Sequence, residues 1–433
     1  MSTVRFAPGP PLRGEVTAPP DKSISHRAAL LAAMGSQPVS IANYLDADDT
    51  NTTLQALRAL GVAVTRGPDA VVVRGGGLRG VAEPEAAIDV GNAGTLMRLL
   101  PGWLAGQEGR AFTLDGDESI RRRPVDRVAE PLRMMGARVD AREGRLPPLT
   151  IHGTRLRGIA YELPAASAQV KSCVLIAGLD ADGPTAAISP APSRDHTERM
   201  LRAAGAGVSR DGLRVAVERV DRLELGDVGV PGDASSAAFL LAAAALVPGS
   251  ELVVRDVGVN WTRSGFVRIA QRMGAAVAGE LEPEPAPDEI PAEEPMADLE
   301  VRSGPLEGTS VEAGEVPLAI DELPLVALLG CFAAGDTVVR GAAELRLKES
   351  DRIAAVVEGM RGLGAEIEGA PDGFAVTGTG GLRGGVLDAR GDHRLAMLGA
   401  VAGLASRDGV EVVGMDAAAI SYPGFLEHVR ALA

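Results

Sequence analysis

One pattern recurs six times along the chain. A polar cluster of Asp, Asn or Ser opens a run of small apolar residues of helical length. The copies are DKSISHRAALLAA from Asp21, GNAGTLMRLLPGWLAG from Gly91, SAQVKSCVLIAGL from Ser167, GDASSAAFLLAAAAL from Gly232, DELPLVALLGCFAAG from Asp321 and GDHRLAMLGAVAGLA from Gly391. Their starts lie roughly 65 to 90 residues apart. Such a recurrence constrains the fold strongly, because each copy must adopt the same supersecondary unit. Between the copies runs a second helical pattern, with charged and apolar residues at spacing three to four, a break at Gly and a β-like run. TLQALRALGVAVT, VAEPLRMMGARVD, TERMLRAAGAGVS, VRIAQRMGAAVA and AAVVEGMRGLGAEIE show it, and SYPGFLEHVRALA ends the series. Their glycines, Gly61, Gly136, Gly205, Gly274 and Gly364, stand where a helix end wants positive φ. AVVVRG, FTLDG, LTIHG, LRVAV, LEVRS and FAVTG read as strands. The expectation is an α/β chain of six α+β units, grouped as two domains of three.

A length of 433 residues suits two domains better than one. Aromatics make up only 3 % of the chain, so its cores must rest on Ala, Val and Leu, and a stacking platform for bases is not expected. A net charge of −15 repels nucleic acid and anionic membranes at long range, so any anion must be held by a local cluster of cations. Cys173 and Cys331 lie inside apolar runs and read as buried small hydrophobes in a cytoplasmic protein. The N-terminus lacks the apolar stretch of a signal peptide, and no run of ~18 apolar residues suggests a membrane span. Five histidines without a His-x-x-x-His pair give no metal site. The acidic, Pro-rich segment Gly279 to Glu300 interrupts the repeat and reads as a mobile surface insertion with no active-site role.

The helix starts carry the chemistry. Free N–H groups and partial positive charge at a helix N-terminus bind anions. Lys22, Ser23 and Arg27 set two cations and a hydroxyl at the first start. Gly94 lies in a Gly-x-x-Gly-Thr turn that lets a ligand approach the backbone. Arg121, Arg122 and Arg123 precede Pro124 at a helix start. Ser167 and Gln169 offer neutral hydrogen bonds, and Arg194 opens another helix. Asp321 is a helix cap or a general base. Lys348, Glu349 and Arg352 precede a helix, as does Arg394. Each cluster alone reads equally as an ordinary cap or a solvated charge pattern, but cations recur at most of the starts.

With these motifs the sequence resembles the 5-enolpyruvylshikimate-3-phosphate synthases. The carrying segments are PPDKSISHRAALLAA, GNAGTLMRLL, RRPVDR, SAQVKSCVLIAGL, SRDHTERML, GDASSAAFLLAAAAL, IDELPLVA, RLKESDRIAAV and GDHRLAMLGAVAGLA, in family order along nearly the whole chain. The resemblance implies two similar domains of three βαβαββ-type units, the inverse α/β barrel of enolpyruvyl transferases, closing on their substrates. It implies one domain over 21–230 and another over 1–20 plus 231–433, with the chain crossing twice, near 20 and 230. It implies transfer of the enolpyruvyl group of phosphoenolpyruvate to the 5-hydroxyl of shikimate 3-phosphate, by a monomer without cofactor or metal. Lys22, Ser23, Arg27, Ser167, Ala168, Gln169, Arg194, Asp321 and Lys348 match ligands of shikimate 3-phosphate. Lys22, Gly94, Arg123, Gln169, Arg352 and Arg394 match the phosphoenolpyruvate site. Asp321, Glu349 and Lys22 match the proton-transferring groups.

Ile420 stands before Ser421-Tyr422-Pro423, where many members have Lys. The SAQVKS and SRDHTE segments resemble a branch that includes glyphosate-tolerant enzymes, whereas Gly94 is the residue of sensitive ones. Two other readings compete. The sister enzyme that acts on UDP-N-acetylglucosamine usually carries a reactive Cys in the loop that here reads GDESIRRRPVDR. A non-catalytic repeat scaffold predicts uniform surfaces rather than cations and acids gathered at helix starts.

Overall fold

The computed structural model describes residues 2–433. Two compact units share the chain. One holds Pro20–Val230 and Glu284–Glu294. The other holds the stretch up to Pro19, Pro231–Pro283 and Pro295–Ala433.

The six small-residue runs form the helices Lys22–Met34, Gly94–Leu104, Ala168–Gly178, Ala234–Leu246, Leu323–Phe332 and His393–Ala405. Beyond their polar opening turns they are apolar on every face, so they can be stable only when enclosed. In Lys22–Met34 every residue from Ile24 onward is buried, and only Lys22 and Ser23 reach solvent. Three such helices pack on one another inside each unit. Small side chains let them approach closely. A Cβ on Gly102 would lie 2.4 Å from the Cys173 carbonyl oxygen of the neighbouring helix. Gly102→Ala must force these two helices apart, and should cost about 1–3 kcal/mol, read as a lowered Tm and urea midpoint. An unchanged Tm would show that the helices have slack.

The second pattern gives the half-exposed helices, among them Asp48–Ala59, Asp126–Met134, His196–Ala203, Gly265–Arg272 and Arg352–Gly362. The glycine that follows each of them, at 61, 136, 205, 274 and 364, has φ between +81° and +107°. Glycine is the residue that reverses the chain there without strain.

Six sheets accompany the helices. Five have four strands in one plan: a parallel pair, then two antiparallel partners. In the first unit the sheets are built on Pro38–Ala42, Ala111–Asp115 and Thr185–Ile188. The first sheet takes its parallel edge from Val228–Gly229, at the far end of the unit. The other unit follows suit. Arg13–Thr17 pairs in parallel with Glu251–Gly258, and Thr3–Phe6 pairs antiparallel with Val410–Val413 in a three-stranded sheet.

Two expectations are corrected. The chain passes between the units four times, not twice, because Glu284–Glu294 belongs with the first unit. The insertion is not a mobile excursion. Ile290 is 4 % exposed, and the backbone carbonyls of Pro287, Ile290 and Glu293 accept hydrogen bonds from Gly212 N, Arg202 and Arg199. Acidic, Pro-rich composition reads as solvated, but arginines supplied from elsewhere in the chain give it a fixed seat.

Candidate active site

Each unit gathers its own set of the expected residues, and the two sets differ in chemistry.

In the first unit the set lies at the starts of three buried helices. Asp21 caps the first, accepting from Ile24 N at 2.8 Å. Lys22 Nζ is 2.9 Å from Asp49 Oδ2. Arg27, 2 % exposed, donates to Thr197 Oγ1 (2.8 Å), Ser172 Oγ (3.2 Å) and the Ser23 carbonyl (3.0 Å). Arg194 donates to Ser23 Oγ at 3.4 Å. Burial, with the positive charge of Arg194 close by, pulls Arg27 down to about 10. Glu198, Asp21 and Glu294 act the other way and favour its charge. Ser167 caps the helix begun by Ala168, accepting from Val170 N at 3.4 Å, and Ser172 Oγ donates to the Ala168 carbonyl at 2.7 Å. Gln169 Nε2 reaches Thr95 Oγ1 at 3.1 Å and so ties this helix to the Gly94 start. Arg123 donates to Asn92 Oδ1 (3.1 Å) and Ser119 Oγ (3.0 Å). A Cβ on Gly94 would come within 3.0 Å of both Arg123 Nη1 and Arg98 Nη1. Contacts thus run from Arg194 through Ser23 and Arg27 to Ser172 and Ala168, while Gln169 meets Thr95 beside Gly94.

In the other unit, cations and acids alternate. Asp321 Oδ1 lies 3.0 Å from Arg352 Nη1 and 3.3 Å from Lys348 Nζ, and its Oδ2 lies 3.7 Å from Arg394 Nη2. Glu349 Oε2 is 2.5 Å from Arg352 Nη2. Asp392, fully buried, accepts from Arg352 Nε (2.9 Å), from Ser350 Oγ (2.9 Å) and, as a helix cap, from Arg394 N (2.9 Å). Burial works against the charge on Arg352, yet Asp392, Glu349 and Asp321 together hold it protonated well above its ordinary range. Burial likewise works against Asp392, and Arg352 outweighs it, so this carboxyl stays below the usual carboxylate range. Glu322 sits 3.5 Å from Arg394 Nη1 and accepts from Ser235 Oγ. Ile420 ends the turn Met415–Ile420 and brings no cation.

Every expected residue therefore falls in one of these two sets. Asp49, Ser172, Thr197, Asn92, Glu322 and Asp392 were not among the expected site residues, although each touches one. Their only signal was a polar residue near a helix start, which is also what a cap looks like. Among the described residues, no group of three His, Cys, Asp or Glu is placed to hold a metal, and no helix is long and apolar enough to cross a membrane.

Comparison with known proteins decides the family. The family model for EPSP synthase (3-phosphoshikimate 1-carboxyvinyltransferase) matches residues 6–429. The chain belongs to the EPSP synthase family. A 3-phosphoshikimate 1-carboxyvinyltransferase of Thermus thermophilus is 47 % identical over 434 residues, covering 100 % of this chain and 99 % of that one. That of Methylococcus capsulatus is 46 % identical over 430 residues, covering 98 % and 96 %. An EPSP synthase structure from Acinetobacter baumannii superposes with a TM-score of 0.86 at 38 % identity, covering 100 % of this chain and 98 % of that one. The fold is accordingly that of the EPSP synthases, and neither rival reading is favoured.

Proposed function

We propose that this chain transfers the enolpyruvyl group of phosphoenolpyruvate to the 5-hydroxyl of shikimate 3-phosphate, in aromatic amino acid biosynthesis. Full-length membership of the EPSP synthase family carries the reading. The two residue sets supply its chemistry. Lys22, Ser23, Arg27, Ser167, Ala168, Gln169 and Arg194 hold shikimate 3-phosphate, with Arg194 on the phosphate and Asp321 at the 5-hydroxyl. Gly94, Arg123, Arg352 and Arg394 hold phosphoenolpyruvate, and Lys22, Gln169 and Lys348 serve both substrates. A proton delivered to the methylene carbon by Glu349 or Lys22 makes the adjacent carbon electrophilic. The 5-hydroxyl adds there as Asp321 takes its proton. The tetrahedral adduct then loses a methyl proton and inorganic phosphate, which restores the double bond. Assembling this many anions in one place needs paired cations, because unpaired charge is costly away from water. The reading also includes a monomer working in the cytoplasm without cofactor.

The deciding assay is phosphate release from phosphoenolpyruvate. It should require shikimate 3-phosphate and should not proceed with UDP-N-acetylglucosamine. Release with the sugar nucleotide alone would overturn the reading.

Gly94 offers a sharper check. The atoms that an added methyl would meet are the far ends of two arginines, so Gly94→Ala should fold normally while displacing the head of Arg123. The expected result is a KM for phosphoenolpyruvate raised about tenfold, little change in Tm, and weakened inhibition by glyphosate. Full wild-type activity in saturating glyphosate would show that Gly94 leaves no room for that inhibitor.

A further inference from the structure

Glu294 lies in a segment whose flanking sequence belongs to the other unit, yet its contacts are with the first. Arg199 donates to the Glu293 carbonyl (2.7 Å), Arg202 to that of Ile290 (2.5 Å) and Arg210 to that of Glu289 (3.4 Å). Gly212 N donates to Pro287 O at 3.0 Å. Where this segment ends, Glu294 Oε1 meets His196 Nδ1 at 2.7 Å, with the two side chains 11 % and 1 % exposed. Ordering a Pro-rich acidic segment opposes folding, so a fixed seat for it implies compensating contacts.

His196 is the centre of five consecutive engaged side chains. Arg194 donates to Ser23 Oγ (3.4 Å), and Asp195 pairs with Arg199 (3.0 Å). Thr197 accepts from Arg27 (2.8 Å), and Glu198 pairs with Lys171 (2.5 Å). Arg194 and Arg27 are the cations assigned above to the acceptor. Glu294 also acts on Arg27 through space, favouring the charge that Arg194 disfavours. Burial opposes the charge on Glu294 itself, but His196 outweighs it and the carboxyl stays below the usual range.

We propose that Glu294, through His196, is a positioning residue for the acceptor. It fixes the start of the helix His196–Ala203, and with it the placement of Arg194 and Arg27 for the phosphate of shikimate 3-phosphate. The proposal rests on the functional reading above. It gives the inserted segment a part in substrate affinity although none of its residues is assigned to a substrate.

Steady-state kinetics of Glu294→Gln test it, since this change keeps the shape and removes the charge. The KM for shikimate 3-phosphate should rise about tenfold. The kcat at saturation and the KM for phosphoenolpyruvate should stay within about twofold. His196→Gln should behave the same way, and the double variant should be no worse than either single one, because both act through one link. Calorimetric titration with inorganic phosphate should show a matching loss of affinity. An unchanged KM for shikimate 3-phosphate in both single variants would overturn the proposal. So would a fall in kcat that tracks lost folded fraction with KM unmoved. If the wild type releases no phosphate with shikimate 3-phosphate, the functional reading fails, and the phosphate titration still decides whether Glu294 positions the two arginines.

Discussion

Asp321→Asn should lower kcat by about three orders of magnitude at saturating substrates, with little change in either KM. The carboxylate is held by cations on several sides: Arg352 at 3.0 Å, Lys348 at 3.3 Å and Arg394 at 3.7 Å. The amide keeps the volume and an acceptor oxygen for Arg352, so the fold should persist and the loss should fall on the chemical step. The measurement is single-turnover phosphate release alongside a thermal melt. A kcat within tenfold of wild type would remove Asp321 from the role of base.

Arg352→Met should have the largest effect on stability. The guanidinium is 1 % exposed and serves Asp321, Glu349 and Asp392 together. Removing it leaves the fully buried Asp392 without this guanidinium, at a cost of about 3–5 kcal/mol. The cost should depend on pH. In the wild type the Asp392 carboxyl is depressed, so its contribution is present above the unfolded carboxylate pKa and is lost as pH falls through the folded value. In the variant, burial acts on Asp392 without Arg352 to oppose it, and its pKa must rise. Mild acid then protonates and relieves it. The gap between variant and wild type should therefore be wide near neutral pH and narrower by about pH 5, as read from urea midpoints. A gap independent of pH would show that Arg352 supports the fold by packing alone.

Features whose cause is local could be read from the sequence. The helix-ending glycines from Gly61 to Gly364 were legible because a left-handed residue is a backbone requirement met on the spot. The buried helices were legible because an all-apolar run of helical length has nowhere else to go. The candidate residues were legible mainly through resemblance, since Lys22 or Arg394 alone looks like any charge at a helix start. What escaped is set by partners distant in sequence. Asp392 reads as a cap, and its second task is visible only once Arg352 lies beside it. Glu284–Glu294 reads as solvated because its seat is made by Arg199, Arg202 and Arg210. Val228–Gly229 is too short to announce itself as a strand, and its pairing with Ile41–Ala42 comes from the return of the chain.

The strand pairing also bears on how the molecule can be synthesised. The sheet that contains Thr3–Phe6 is completed by Val410–Val413, and Ser2 is hydrogen-bonded to Asp416. The leading stretch must leave the ribosome long before its partner exists, and wait while everything between is translated. The unit begun at Pro20 can meanwhile acquire all three of its sheets by Val230. Folding during translation would thus proceed from the middle outward, with the strand Thr3–Phe6 among the last to find its place.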